Sequence, residues 1–465
     1  MTVAPDTSAP APKSRSAFRQ PDFVKLWSAA TISLLGTQVT FIAIPVIAVL
    51  ILGATPFEVA LVGTLEFLPF LLFTLPAGVW VDRLPRRRIL IAGDLGRAVM
   101  LATIPIAYLL DVLTIWQLFV VAFVNGIFTV FFDIADQSYL PTVLEREELV
   151  DGNAKLQGSF SVAQVIGQPL GGGLVGLLTA PFAIVVDAIS FVVSALLIFS
   201  IRRRERADRP AAAAATEDVV AVPPAGPTVA AEAAAETVAD RDELATPTTP
   251  ARPSVRQEVA EGLRFVLGNR YLRSIAATTG SSNLFSNIAF AVFPVFAYRD
   301  LRLTPEVVGL IGGGFGAGAL FGALTASRVA DRIGVGRAIV GSALLAAPTA
   351  LLVPLATRET ALLLIGGGGF VTGWGSVVYN VNQVSLRQAI CPEPMLGRMN
   401  ATMRFIVWGT IPIGQVVGGA IATLLTTVTA IWIGAIGGLF AFLPVLLSPV
   451  FSLRRIPDEP EPKPA

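Results

Sequence analysis

Two carboxylates inside long apolar stretches are the side chains of this chain best placed to do chemistry. Glu66 lies nine residues into an apolar run at 57–81, and Asp187 lies six residues into a run at 181–201. At a rise of about 1.5 Å per residue, a helix would place them about 13 Å and about 9 Å inside a bilayer. Because ionisable groups are costly in lipid, such residues usually serve transport or proton transfer. Both are therefore candidate proton carriers.

The rest of the composition limits which chemistry is available. The chain has no histidine and one cysteine, Cys391, which excludes an intramolecular disulfide and histidine-based metal or acid–base sites. No nucleophile constellation and no phosphate-binding loop can be drawn from the sequence. We therefore expect a protein that is not an enzyme, that holds no metal or cofactor, and that uses neither ATP nor nucleic acid.

The elements that position the two carboxylates are long apolar helices. Of the 465 residues 54% are hydrophobic and 14% are charged, and the mean hydropathy is +0.70, which is far too apolar for a soluble protein of this length. The apolar runs are continuous rather than alternating, which predicts an all-α integral membrane protein and not a strand barrel. The twelve predicted spans are 24–51, 57–81, 89–110, 114–135, 154–178, 181–201, 271–298, 306–329, 337–356, 359–383, 399–425 and 428–451.

The distribution of basic residues predicts how these spans are oriented. Four arginines crowd the turn GVWVDRLPRRR at 78–88, and positive residues beside a span stay in the cytoplasm. Of the 34 lysines and arginines, only Arg299, Arg302 and Arg358 fall in loops that this topology places outside. We therefore expect a multi-pass protein of the cell (inner) membrane with both termini in the cytoplasm.

The chain also contains an internal repeat. At an offset of 249 residues Asp82-Arg83 meets Asp331-Arg332, and at an offset of 247 residues the run 167–172 meets 414–419. This predicts two six-helix halves in the same orientation. The predicted segments are a cytoplasmic tail at 1–22, a first half at 23–201, a disordered linker at 202–253, an amphipathic helix plus second half at 254–452, and a cytoplasmic tail at 453–465.

The turn at 78–88 resembles the loop signature of the major facilitator superfamily, G-x-L-a-D-R-x-G-R-R. The matching residues are Gly78, Asp82, Arg83, Arg86 and Arg87. Trp80 and Pro85 depart from the signature. Further segments, among them 137–141 and 187–191, resemble the drug-exporter branch that includes enterobactin exporters and macrolide efflux proteins. The resemblance implies twelve transmembrane helices in two parallel six-helix repeats, with a substrate site between the halves.

The resemblance also implies roles for charged residues. The implied gating residues are Gly78, Asp82, Arg83, Arg86, Asp133, Asp136, Asp331 and Arg332. In this family the loop aspartate docks on span eleven, and a loop arginine pairs with an acid at the end of span four, here Asp133 or Asp136. Span two borders the moving interface whereas span six packs outside it, so we favour Glu66 as the proton carrier and expect Asp187 to be structural. The arginine that many proton-coupled members carry in span four is missing here.

A glycine-rich run in span five is similar to the glycine and proline motif of antiporters in this superfamily. Its residues are Gly167, Pro169, Gly171 and Gly172. The resemblance implies a role in export. The alternative is close helix packing through small residues.

Polar and aromatic residues within the spans are candidates for the wall of a substrate cavity. They are Gln38, Asn125, Asn283, Asn287, Trp374, Tyr379 and Asn380. They suit an amphiphilic organic molecule better than a sugar, and interhelical hydrogen bonding is the alternative role for each asparagine. We expect a monomeric secondary transporter that exports a drug-like, siderophore or secondary-metabolite molecule in exchange for protons. An importer of a small amphiphilic solute and a non-transporting receptor or scaffold on the same fold stay open as alternatives.

Overall fold

The fold is built from long helices. The computed structural model describes residues 16–145, 148–202, 255–392 and 395–455, so most of the predicted linker and tails lies outside the described residues. Within these ranges twelve helices are long and apolar enough to cross a membrane, as the sequence predicts. The α-helices of the described residues are α1 (Pro21–Val46), α2 (Pro56–Arg83), α3 (Arg86–Leu109), α4 (Ile115–Val143), α5 (Leu149–Leu178), α6 (Ala180–Phe199), α7 (Val255–Gly268), α8 (Arg270–Val295), α9 (Pro305–Ile333), α10 (Val335–Ala346), α11 (Gly367–Ile390), α12 (Leu396–Leu424), α13 (Thr427–Phe440) and α14 (Leu443–Leu446). Of these, α7 is not one of the twelve candidate spans, and α13 and α14 together form the twelfth. Short π- or 3₁₀-helical segments extend α1 (Ile47–Ile51), α8 (Phe296–Asp300), α10 (Ala347–Leu352) and α11 (Leu362–Gly366).

The turn between α2 and α3 is shorter than the sequence predicts. A charged turn is expected over 78–88, but α2 remains helical to Arg83 and α3 begins at Arg86. Leu84 has extended backbone angles (φ −113°, ψ 152°), because a residue that precedes proline is driven out of the helical region. Pro85 therefore determines where α2 ends, and Gly78 and Asp82 belong to the helix.

The two halves have the same internal arrangement. In the first half α1 packs on α5 and α6, and α4 packs on α2 and α3. In the second half α8 packs on α12 and α13, and α11 packs on α9 and α10. These are equivalent pairs of two parallel repeats, which confirms the predicted repeat. The halves meet along two equivalent seams, α5 against α9 and α2 against α12.

The two ends of the bundle differ. We call the end that carries the α2–α3 turn the basic end, and the other the opposite end. At the opposite end the amide of Phe57 donates a hydrogen bond to Thr423 Oγ1 (3.1 Å), and Arg299 donates one to the carbonyl oxygen of Val49 (3.2 Å). An apolar core shared by both halves, which includes Val49 and Leu303, also covers this end. The opposite end is therefore sealed by contacts between the halves.

Helix α7 precedes the second half and packs on α12 and α8. Arg398 of α12 forms an ion pair of 2.6 Å with Glu261 of α7. A Cβ at Gly262 would lie 2.8 Å from the carbonyl oxygen of Arg398, so only a glycine allows this approach. These contacts fix α7 to the N-terminal turns of α12.

Candidate functional site

A cavity of about 1430 Å³ lies between the two halves; we call it the central cavity. Residues near the basic end, among them Val150, Asn153 and Asn400, contribute to its wall, so the cavity extends from that end into the bundle. Its aromatic lining residues are Phe41, Phe67, Phe70, Phe132, Phe160, Phe191, Phe290, Phe293, Tyr298, Phe315 and Trp408. Within the described ranges no group of three or more Asp, Glu, Cys or His side chains could hold a metal ion.

Glu66 lies in the wall of the central cavity, and its side chain is exposed there. A Cβ at Gly126 would lie 2.6 Å from the carbonyl oxygen of Glu66, so α2 and α4 are in close contact at this level. One turn further along α2, the ring of Phe70 meets that of Trp408 edge to face, with 6.2 Å between centroids. Since Trp408 belongs to the second half, Glu66 lies where the two halves face each other. Its role in proton transfer stays a prediction.

Asp187 is held between α1 and α6. Its side chain is only 1% exposed. Thr40 of α1 donates a hydrogen bond to Oδ2, and Ser190 donates one to Oδ1 at 3.0 Å. A Cβ at Gly36 would lie 2.5 Å from Oδ1, so α1 approaches this carboxylate closely. Asp187 borders the cavity, but its hydrogen bonds make it part of the packing of the first half.

A buried ion pair in α3 was not predicted from the sequence. Asp94 is 0% and Arg97 is 6% exposed, and their side chains are 2.5 Å apart. Ser194 of α6 donates a hydrogen bond to the other carboxylate oxygen of Asp94 (2.7 Å). Arg97 Cζ lies 4.2 Å from the ring centroids of both Phe132 and Phe191. The guanidinium is therefore held between two aromatic faces.

Arg97 is a basic residue within a span, which a count of the basic residues in the outside loops does not reveal. It is eleven residues into α3, about 16 Å from the start of the helix. The spacing of three residues between Asp94 and Arg97 could have revealed the pair, because residues three apart share one face of a helix. Both lie inside the predicted span at 89–110.

Asp133 and Asp136 are one turn apart on α4 and line the central cavity. Among the described residues neither of them forms an ion pair with Arg83 or Arg86, so the predicted pairing is not made in this conformation. The reason is that α4 continues to Val143, which places the two aspartates about 10 to 15 Å from the basic end. The cation that acts electrostatically on both is Arg97.

Comparison with known families agrees with this geometry. The family described as "Major Facilitator Superfamily" matches residues 26–285, more than half of the chain. The chain belongs to the major facilitator superfamily. A second family, described as "Transmembrane secretion effector", matches residues 237–462. The fold and the family both identify the chain as a multi-pass membrane transporter.

Individual members of the superfamily resemble the chain at low identity. The multidrug efflux pump Tap of Mycolicibacterium fortuitum is 26% identical over 396 residues, which cover 83% of this chain and 86% of Tap. Macrolide efflux protein A of Streptococcus pyogenes is 24% identical over 187 residues, which cover 40% of this chain and 46% of that protein. Both names support the drug-exporter branch that the sequence suggests.

Solved structures of superfamily transporters share the fold. A bacterial homologue of the iron transporter ferroportin in an inward-facing state matches with a TM-score of 0.70 at 13% identity, over 93% of this chain and 99% of that one. A bacterial homologue of the human lysosomal transporter Spinster, inward-facing and unoccupied, matches with a TM-score of 0.62 at 13% identity, over 94% and 98% of the two chains. At this identity the likeness concerns the fold alone.

The glycine motif of α5 lies at helix contacts on two sides. A Cβ at Gly171 would lie 2.7 Å from the carbonyl oxygen of Gln38 in α1, and Gly167 faces the side chain of the same glutamine. On the other side, Gly172 faces Gly309 of α9, where an added Cβ would lie 3.1 Å from the partner Cα. Pro169 also packs against α9, at Gly313. The motif therefore allows close packing both within the first half and across a seam.

Three of the predicted cavity residues line the central cavity: Gln38, Asn125 and Asn287. Gln38 lies against the α5 glycines and is 4% exposed. Asn287 donates a hydrogen bond to the carbonyl oxygen of Asn283, one turn earlier in α8 (2.9 Å). Asn125 Oδ1 is buried and has no hydrogen-bond partner among the described residues.

The other predicted cavity residues lie outside the lining: Asn283, Trp374, Tyr379 and Asn380. Asn283 donates a hydrogen bond to the carbonyl oxygen of Val407 in α12 (3.3 Å), and Trp374 donates one to Thr325 Oγ1 in α9 (3.0 Å). The hydroxyls of Tyr379 and Thr279 are 2.8 Å apart, and Asn380 accepts a bond from Gln383 (2.8 Å). These side chains thus make contacts within the second half in this conformation, although Asn380 Nδ2 has no hydrogen-bond partner among the described residues. Their role in substrate binding stays a prediction.

Apart from Asp133 and Asp136, the implied gating residues lie at or near the basic end. Arg83 is exposed at the end of α2 and Arg86 begins α3. Asp331 and Arg332 are exposed in the last turn of α9, and no hydrogen bond or ion pair joins them to another described residue. Gly78 faces open space. Asp82 lies in the last turn of α2, and its side chain is outside what the structure describes.

Proposed function

We propose that this transporter takes an amphiphilic organic molecule of moderate size from the cytoplasm and releases it outside in exchange for protons. The observation that carries the proposal is the central cavity, which extends to the basic end while the opposite end is sealed. Arginines beside a span stay in the cytoplasm. The cavity is then open to the side from which an exporter loads, and rocking of the halves about it would give alternating access.

The composition of the cavity wall supports the class of substrate. Aromatic and aliphatic side chains from both halves form most of it, and a few amides, such as Gln38, Asn125 and Asn287, supply polar contacts. Such a wall buries an apolar body and fixes its orientation at a few polar points. A polyhydroxylated solute would need many more partners. The efflux pumps among the relatives support export of this class.

Glu66 is the proposed proton carrier. It is exposed to the cavity beside the α2–α12 seam, so it can meet either side of the membrane as the halves move. Asp187 is buried and held by two hydroxyls, which supports a structural role. One proton that enters down about 100 mV of membrane potential supplies about 2.3 kcal/mol, enough for a substrate gradient of roughly fifty-fold.

Export of a fluorescent dansyl amide from energised vesicles, measured over a series of proton gradients, tests this proposal. Glu66→Gln imitates the protonated side chain, so it should keep substrate binding and passive exchange but lose uphill export. Asp187→Asn should lower the amount of folded protein and leave uphill transport per folded molecule intact. Full uphill transport by Glu66→Gln would move the coupling role to another carboxylate. Wild-type protein that moves no probe against a gradient would contradict the proposed function.

A further inference from the structure

The charged side chains of the central cavity all belong to the first half. Among the residues that the structure describes, those in the lining are Glu66, Arg97, Asp133, Asp136 and Asp187. The second half contributes apolar, aromatic, hydroxyl and amide side chains. Arg97 is already paired with Asp94 of α3, which lies outside the lining. The wall formed by the first half therefore has more carboxylates than cations to balance them.

Several residues that line the same cavity carry buried hydrogen-bond acceptors without a partner. Four buried lining oxygens have no hydrogen-bond partner among the described residues: Asn125 Oδ1, Asp133 Oδ2, Gln137 Oε1 and Gln415 Oε1. The first three lie along one face of α4. Gln415 of α12 is 2% exposed, and its amide lies against Gly63 of α2. Among the described lining residues, one buried donor has no hydrogen-bond partner, Arg97 Nε. An amide side chain can turn its NH2 group to the same place, whereas an ionised carboxylate can only accept. A buried acceptor without a donor costs about 1–3 kcal/mol, so Asp133 in particular suits a ligand that donates hydrogen bonds.

The internal repeat indicates that packing does not require these acids. At the offset of 247 residues, Asp133 corresponds to Asn380 and Asp136 to Gln383. The two amides hydrogen-bond to each other at 2.8 Å and lie outside the cavity lining. At equivalent positions, α11 therefore carries neutral amides outside the cavity lining, whereas α4 carries carboxylates within it.

We propose that the exported molecule is an organic amine whose protonated nitrogen binds between Asp133 and Asp136. This rests on the proposed export function and names the substrate class of the same site. An ammonium group supplies both the missing positive charge and the N–H donors. Its charge-assisted hydrogen bonds to carboxylates are stronger than hydrogen bonds between neutral groups. The apolar body of the amine lies against the aromatic lining further into the cavity, where Phe70 and Trp408 meet.

Two dansyl amides of equal length test the assignment. Dansylcadaverine ends in an ammonium group, and dansyl hexylamide ends in a methyl group of about the same size. Binding to the purified full chain is measured by fluorescence polarisation for wild type and for the double variant Asp133→Asn/Asp136→Gln. These substitutions introduce the residues that the second half carries at the equivalent positions. The ratio of the two dissociation constants should shift toward the methyl probe by about tenfold or more in the variant.

The control variant is Asp111→Asn, which removes a carboxylate from an exposed turn far from the cavity and should keep the wild-type ratio. The same ratio in wild type and double variant would overturn the assignment. If the double variant cannot be purified, two other measurements test the assignment. One is the ratio of dissociation constants for Asp136→Gln alone. The other is the binding of a dansyl probe that ends in a carboxylate, which the acidic wall must bind less tightly than it binds the other two probes. Export of the methyl probe as efficient as that of the amine would overturn the amine assignment and leave the export function standing. Tight amine binding without export would contradict the export function alone.

Discussion

Asp94 and Arg97 form an ion pair of 2.5 Å in the interior of the first half. Ser194 of α6 bonds the aspartate, and the rings of Phe132 in α4 and Phe191 in α6 enclose the guanidinium. The pair thus joins α3 to both of its neighbours. Because Arg97 also borders the central cavity, the same contacts fix the one basic side chain among the described residues of the cavity wall.

We predict that Asp94→Asn destabilises the protein strongly. The substitution leaves Arg97 buried without its counter-charge, and removal of one partner from a buried ion pair costs about 3–5 kcal/mol. Thermal unfolding in detergent, followed as the loss of monodisperse protein, measures the effect. Asp111→Asn serves as the control, since Asp111 is exposed and asparagine tolerates its positive φ of 55°. Equal unfolding midpoints for the two variants would show that the pair does not hold these helices together.

Two neighbouring arginines of the α2–α3 turn should differ in their effect on stability. Arg87 donates hydrogen bonds to the carbonyl oxygens of Ile198 (3.2 Å) and Phe199, at the C-terminal end of α6. A cation there satisfies free carbonyls and interacts favourably with the helix dipole. Arg88 is exposed and makes no such bond among the described residues.

Arg87→Ala should therefore lower stability by about 1 kcal/mol, whereas Arg88→Ala should leave it unchanged. Both variants remove one positive charge from the same turn, so orientation effects cancel in the comparison. The two thermal midpoints provide the measurement. A loss of the same size in both would mean that charge near the membrane surface matters and the α6 carbonyl contacts do not.

The twelve spans could be predicted because a continuous apolar run of about 20 residues has few solutions in lipid other than a helix. The ends of the helices were less predictable. The fourth span was expected to end at residue 135, yet α4 continues to Val143. Hydropathy falls where polar side chains begin, but a helix continues as long as its backbone bonds are satisfied. Asp136 and Gln137 therefore lie within α4 and face the cavity.

Which polar side chains face the cavity could not be predicted from the sequence. Asn125 and Trp374 are both polar groups inside apolar runs, yet only Asn125 lines the cavity. Trp374 instead bonds Thr325 within the second half. The difference depends on which helices are neighbours, and this is set by tertiary packing rather than by local pattern. Arg97 was not predicted for a related reason. Counting the basic residues in the loops on each side of the membrane gives no information about charges in the middle of a span.

Holding the opposite end closed should stop transport if the two ends open in turn. Phe57 and Thr423 are joined there by a hydrogen bond of 3.1 Å across the α2–α12 seam. A short bifunctional thiol reagent applied to Phe57→Cys/Thr423→Cys, in a Cys391→Ser background, would link the halves at this end. Export should stop while probe binding from the basic end persists, and each single-cysteine variant should keep export after the same treatment. Undiminished export by the linked protein would contradict alternating access.

Asp82→Asn should shift the protein away from conformations in which the basic end is closed. The resemblance of the turn to the superfamily signature predicts that Asp82 docks on the first turn of α12 when that end closes. A helix N-terminus attracts a negative charge by about 0.3–2 kcal/mol. A loss of about 1 kcal/mol changes the ratio of open to closed forms about fivefold. The readout is the labelling rate of Val150→Cys in a Cys391→Ser background, because Val150 is 79% exposed at the mouth of the cavity. Labelling should become faster in Asp82→Asn and, through the equivalent contact of the repeat, in Asp331→Asn. A rate that stays at the wild-type value in both variants would rule out this closing contact.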